Sequence, residues 1–206
     1  MLDRHITPLI KPAVEQIARA LAGRGVRADH VTLVAFAIGI IAIICIAFRA
    51  YSVAVILIFL SRLCDALDGA VARQTEATYA GGFLDITLDF LFYAGIVLAF
   101  AFAAPKTNAL PAAVLLMSFV GTTSSFLAFA ALAAKRGIAS MDYPDKSFYF
   151  LGGLAEATET LIILIAMCIW PRFFPQLAYI FAVICAITTF TRIVGGYQTL
   201  KKSSEK

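Results

Sequence analysis

The chain has 206 residues, of which 61% are hydrophobic and 15% charged, with a net charge of +4 and a mean hydropathy of +0.88. Soluble domains carry about a quarter of their residues as Asp, Glu, Lys and Arg, so this composition excludes an ordinary soluble fold. The small positive excess reads as attraction to anionic headgroups or an anionic substrate, and not to nucleic acid.

Residues 1–30 hold Asp3, Arg4, His5, Lys11, Glu15, Arg19, Arg24 and Arg27 with no central apolar run, which is unlike a cleavable signal segment. Leu9, Ile10, Val14, Ile17, Ala18 and Leu21 recur at helical spacing opposite a charged row. The pattern predicts a short amphipathic helix lying in the membrane interface, with Pro8 and Pro12 at its beginning and the glycines at 23 and 25 at its end.

Six apolar runs follow, at about 31–48, 51–73, 81–104, 109–134, 147–170 and 176–198. Each approaches the roughly 20 residues that a helix needs to cross a ~30 Å hydrocarbon core. They are continuously apolar, where a transmembrane barrel would alternate. The expectation is an all-α integral membrane protein with six transmembrane helices and an N-terminal interfacial helix: residues 1–30 as appendage, 31–200 as one six-helix domain, and 201–206 as a tail. The basic residues between spans divide unequally. Arg4, Lys11, Arg19, Arg24, Arg27, Arg73, Lys135, Arg136, Lys146, Lys201, Lys202 and Lys206 fall on one side, against Arg49, Lys106 and Arg172 on the other. This bias predicts a multi-pass membrane protein with both termini in the cytoplasm. Cys45, Cys64, Cys168 and Cys185 lie within spans without paired ligand spacing, so neither a disulfide framework nor a zinc site is expected.

The second and third spans meet in a hairpin that carries four aspartates. Asp65 and Asp68 are one helical turn apart, as are Asp85 and Asp89, so each pair shares a face. Counted from the turn at 1.5 Å per residue, all four lie roughly 6 to 12 Å deep. At about 2.5 to 3.5 kcal/mol per mid-membrane aspartate, such a cluster would oppose folding by roughly 10 kcal/mol without compensation. Protonation, or Arg62, Arg73 and Arg192, would relieve part of this; divalent cations would relieve most. An oxygen-only ligand set favours Mg²⁺ or Mn²⁺, and four carboxylates can share two ions. Gly69 and Ala72 lie on the helical face of Asp65, Gly81 and Gly82 open the facing helix, and Arg73 stands at the mouth. Small residues permit close approach, and an arginine fork suits phosphate.

The stretch D65-x-x-D68-G69-x-x-A72-R73, seven residues, then G81-x-x-x-D85-x-x-x-D89 resembles the signature of the CDP-alcohol phosphotransferase family, with eight fixed residues at fixed spacing. The likeness covers nearly the whole chain and is closest to small bacterial inner-membrane members. It implies transfer of a substituted phosphate from a CDP-linked donor, usually CDP-diacylglycerol, to an acceptor hydroxyl, with release of CMP. By motif position, Asp65, Asp68, Asp85 and Asp89 would bind two divalent cations, Asp89 would also be the general base, and Gly69, Ala72, Arg73 and Gly81 would shape the CDP site. The acceptor is a polar alcohol or polyol phosphate, glycerol 3-phosphate being the first choice and inositol phosphate or serine the alternatives. Membrane lipids, and a homodimer partner, are further expectations of the resemblance. In place of the family's Pro-Asn-x-x-Thr element this chain has Ala28 and Asp29, keeping Thr32. Asp29 either accepts hydrogen bonds from the nucleotide or caps the helix, with capping slightly favoured.

Outside the motif, Glu156 and Glu159 on the fifth span and Arg192 on the sixth either line an acceptor pocket or form a structural ion pair. The hydroxyls of the run at 121–126 either line the cavity or make helix-to-helix hydrogen bonds, with packing favoured. A cation or proton transporter is the rival class, since buried carboxylates also build ion pathways. Clustering at one depth, beside glycines and an arginine, argues against it.

Overall fold

The computed structural model describes residues 3–135, 155 and 157–202, and these are helical with short links. In chain order the helices are α1 (Asp3–Ala22), α2 (Ala28–Ala47), α3 (Tyr51–Gln74), α4 (Tyr79–Ala103), α5 (Pro105–Lys135), α6 (Ala157–Ile169) and α7 (Phe174–Lys202), the last preceded by a 3₁₀ turn at Pro171–Phe173. Four of the described segments are long and apolar enough to cross a membrane: Ala28–Ala47, Tyr79–Ala103, Pro105–Lys135 and Pro171–Lys201. Helix α3 has the length, at 24 residues, but carries Arg62 at its middle and Asp65, Asp68 and Arg73 in its second half. Of the expected fifth span, the described part is α6.

Helix α1 begins earlier than its prolines imply, so Pro8 and Pro12 lie inside it. Proline's fixed φ is itself helical, and each ring removes one ladder bond without reversing the chain. The end falls where expected. Gly25 takes φ 76°, and Val26 N–H donates to Leu21 O, turning the chain into α2. Val14 and Ala18, one turn apart, are buried with Val31, Leu67, Ala70 and Val71. Helix α1 is therefore fastened to the charged end of α3, beside the aspartates.

The opposite end of the bundle is a single apolar core built around Phe92, Phe100, Phe174 and Phe181, with Ile46, Ile58, Leu115 and Met167 fully buried among them. The Phe100 and Phe174 rings stack at 4.5 Å, joining α4 to α7. Arg49 donates from Nε (2.8 Å) and a terminal nitrogen (2.6 Å) to Ala103 O, setting a cation on the carboxyl end of α4. Helix α2 crosses α4 at Gly39, where an added Cβ would lie 2.6 Å from Phe92 Cδ2 and 3.3 Å from Ser61 Oγ. Only the missing side chain lets Phe92 sit there. Gly39→Val is accordingly expected to destabilise the fold by about 1–3 kcal/mol through overpacking. Gly82→Ala, whose Cβ would meet nothing within 4 Å, should not. Apparent Tm values in detergent micelles check both.

Candidate active site

Helices α3 and α4 are joined by the link at 75–78, and both pack against α2. Thr78 caps α4: its backbone is extended and its Oγ1 accepts from Gly81 N–H at 3.0 Å. With both helices thus fixed in register, Asp65, Asp68 and Asp85 each place a carboxylate oxygen within 4.8 Å of the others. Asp65 and Asp85 are half-buried, while Asp68 is only 4% exposed. One oxygen of Asp68, Oδ2, is buried with no hydrogen-bond partner among the described residues. An unsatisfied buried carboxylate oxygen costs several kcal/mol, and two further carboxylates beside it raise the cost. The donor set is hard oxygen throughout and already convergent, so it fits a divalent cation of the Mg²⁺ or Mn²⁺ type.

Asp89 stands apart from this triad. Its Oδ1 accepts a hydrogen bond from Arg62, whose same nitrogen lies 3.3 Å from Asp65 Oδ1. Of the three arginines considered as counter-charges, Arg62 is the one that reaches the cluster. Arg73 is exposed and extends back over Gly69, where its terminal nitrogen would lie 3.6 Å from an added Cβ. Arg192 points elsewhere: it donates to Thr122 O at 3.1 Å and lies 5.6 Å from the Phe126 ring centroid.

Beside the triad a cleft opens between α2, α3 and the start of α4. Asp29 and Thr32 line it from α2, Gly69 and Ala72 from α3, and Gly81 from α4, together with Asp68 and Asp85. Seven of the sequence-predicted site residues thus share one cavity. Arg73 is at its margin. The link adds Glu76 and Thr78, neither of which the sequence singled out; Thr78, three residues before a glycine at a helix start, carried a readable capping signal.

Asp29 does not cap α2. The helix begins at Ala28 after an extended Arg27, so Asp29 already belongs to the first turn and its carboxylate turns outward. One oxygen is 3.5 Å from the Arg27 guanidinium, and the other would be 2.8 Å from a Cβ on Gly81. Glycine at 81 therefore makes room for an acidic side chain in the cleft. Thr32 is buried and donates to Ala28 O at 3.1 Å. The hydroxyls of Thr122, Ser124 and Ser125 donate to carbonyls of their own helix, and not across to a neighbour as the sequence reading expected. Such backbonding satisfies a hydroxyl locally, which a linear pattern does not reveal. Glu159 is half-buried on α6; Glu156, Arg136 and Lys146 lie outside the described residues.

Comparison with known proteins places this geometry. The family model for CDP-alcohol phosphatidyltransferase matches residues 26–193. The chain belongs to this family. As a CDP-alcohol phosphatidyltransferase it is a transferase of substituted phosphate groups, which removes the transporter reading. It is 53% identical over 201 residues to inner membrane protein YnjF of Escherichia coli (strain K12), covering 98% of each chain. It is 28% identical over 170 residues to archaetidylinositol phosphate synthase of Pyrococcus horikoshii, covering 82% of this chain and 90% of that one. In fold it is similar to the Mycobacterium tuberculosis phosphatidylinositol phosphate synthase PgsA1, at 21% identity and a TM-score of 0.66 in two crystal structures. One has CDP-DAG bound and covers 89% of this chain and 93% of that one; the other, with manganese and citrate, covers 89% and 88%. The YnjF relationship and the apolar helices make this phosphatidyltransferase a multi-pass inner membrane protein.

Asp68→Asn separates stability from binding at this site. Removing the unpartnered charge should raise the metal-free Tm, by an amount equivalent to about 1–3 kcal/mol. The same change should abolish Mn²⁺ binding, read by electron paramagnetic resonance.

Proposed function

We propose that the chain transfers a phosphatidyl group from CDP-diacylglycerol to the hydroxyl of a polar alcohol phosphate, releasing CMP, in phospholipid biosynthesis. The observation that carries this reading is the convergence of Asp65, Asp68 and Asp85, with the unpartnered Asp68 oxygen, beside a cleft lined by Gly69, Ala72 and Gly81.

Asp65, Asp68, Asp85 and Asp89 would hold two divalent cations, Mg²⁺ or Mn²⁺. Such ions, when bound, neutralise a diphosphate and favour departure of a phosphate leaving group. The residues of the chain supply placement. Gly69, Ala72 and Gly81 leave room for the nucleotide against the helix backbones, Arg73 offers its fork at the margin, and Asp29 and Thr32 face the cleft from α2. Asp89 is the general base. The acceptor oxygen forms a bond to the lipid-bearing phosphorus as its proton passes to the Asp89 carboxylate. The bond from that phosphorus to the bridging oxygen breaks, and the electron pair leaves with CMP.

Glycerol 3-phosphate is the first-choice acceptor. Inositol phosphate is the second reading, favoured because archaetidylinositol phosphate synthase and the phosphatidylinositol phosphate synthase PgsA1 are both named for inositol phosphate lipids. The wider arrangement belongs to the same proposal: six spans within residues 31–200, α1 lying in the interface as part of an N-terminal segment 1–30, a tail at 201–206, and termini and active site on the cytoplasmic side. A homodimer is the assembly proposed. The basic bias and the packing of α1 beside the aspartate-bearing end of α3 support this sidedness.

Purified protein supplied with CDP-diacylglycerol, Mg²⁺ and labelled glycerol 3-phosphate or inositol phosphate should release CMP, and chelation should stop it. Asp68→Ala should abolish metal-dependent turnover, and Asp89→Asn should lower kcat by about 10²–10⁴-fold with a smaller effect on donor binding. Normal turnover by Asp89→Asn would remove its assignment as base. Failure to release CMP with any acceptor, despite bound nucleotide, would sink the proposal.

A further inference from the structure

Arg62 is held more firmly than a surface counter-ion. Its side chain is 11% exposed, its guanidinium carbon lies 4.0 Å from the Phe92 ring centroid and 5.7 Å from that of Tyr93, and one terminal nitrogen donates to Ser61 Oγ at 3.3 Å. Ser61 is itself buried and anchored, donating to Ala35 O at 2.8 Å. The remaining terminal nitrogen is shared by Asp65 on α3 and Asp89 on α4. Guanidinium keeps its charge at any working pH, and an aromatic face below it holds it further in place. In sign and in position, this group does for Asp65 and Asp89 what a bridging divalent ion would do. The three-carboxylate grouping, Asp65, Asp68 and Asp85, has no arginine reaching Asp68 or Asp85 among the described ion pairs, and it contains the unpartnered oxygen.

We propose that Arg62 is the resident counter-ion of the Asp65 and Asp89 pair, and that it limits the donor-free chain to one divalent cation, held by Asp65, Asp68 and Asp85. The inference rests on the metal reading of the proposed function and deepens it by assigning the order in which the carboxylates are neutralised. With Oδ1 taken by Arg62, Asp89 keeps Oδ2 as its remaining oxygen.

Mn²⁺ titration of the full-length purified protein in detergent, without nucleotide and read by electron paramagnetic resonance, counts the ions. The expected result is one tightly bound Mn²⁺ per chain in the wild type and in Arg62→Lys. Arg62→Met keeps an unbranched stem on the Phe92 ring but removes the charge, and it should bind two. Asp89→Asn should still bind one. Two tight ions in the wild type, one ion in a folded Arg62→Met protein, or loss of the single ion in Asp89→Asn would each overturn the proposal. If Arg62→Met does not fold, the wild-type and Asp89→Asn counts decide. No bound Mn²⁺ in the wild type, or binding that survives Asp68→Asn, would overturn the metal reading itself, and this inference with it.

Discussion

Four carboxylates in an apolar hairpin are the constraint around which the rest of the molecule is arranged. Among the described residues one guanidinium enters the cluster against four carboxylates, so the cluster has more acidic groups than cations to meet them. That guanidinium is not free to choose its place. It rests on Phe92, and Phe92 in turn occupies the space left by Gly39 on α2. A glycine on one helix thereby fixes an aromatic ring on a second, and the ring fixes a cation from a third against two carboxylates. Each step is a short-range contact, and together they carry packing in the apolar core to electrostatics in the site.

The bundle is divided accordingly. Its large apolar core is filled by interlocking phenylalanines and aliphatic side chains, whose burial needs no polar partner. Its charged end is held by a smaller cluster, from Val14 to Val71, in which α1 packs onto α3 just beside the aspartates. The stable part holds the helices in register so that the other part can keep a polar atom unsatisfied. Asp68 Oδ2 is a buried oxygen without a partner, a cost to the fold that a bound cation would remove. Filling it with an asparagine would repair the fold and empty the site.

Much of this was written in the linear pattern. Helical spacing put Asp65 with Asp68 and Asp85 with Asp89, and depth counting set all four at one level; the structure gathers Asp65, Asp68 and Asp85, leaves Asp89 on Arg62, and lines the neighbouring cleft with Gly69, Ala72 and Gly81. What the pattern lacked was helix rotation. Arg62 stands one turn before Asp65, so that contact was accessible from spacing, but its reach across to Asp89 depends on how α3 and α4 face each other and on the ring beneath it. Asp29 shows the other limit. A helix beginning at Ala28 turned an apparent cap into a first-turn residue aimed at Gly81. The prolines of α1 misplaced its start for a similar reason, because a ring that can begin a helix is also tolerated within one.

The lining of the cleft bears on the order of events. Asp29, Asp68, Glu76 and Asp85 contribute carboxylates to it, and among the described residues no basic side chain does; Arg27 lines the adjoining cavity, 3.5 Å from Asp29, and Arg73 stays at the margin. A diphosphate entering such a cavity meets charge of its own sign at short range, where a low dielectric strengthens repulsion. Helix α4 points its amino end toward the same space, but the partial charge of a helix end, about half an elementary charge, is too small to reverse that balance. On the proposed function, a cation held by the carboxylates would have to offset this repulsion before an anionic donor could bind. In this arrangement the carboxylates that burden the fold are the groups that would tie donor binding to a cation.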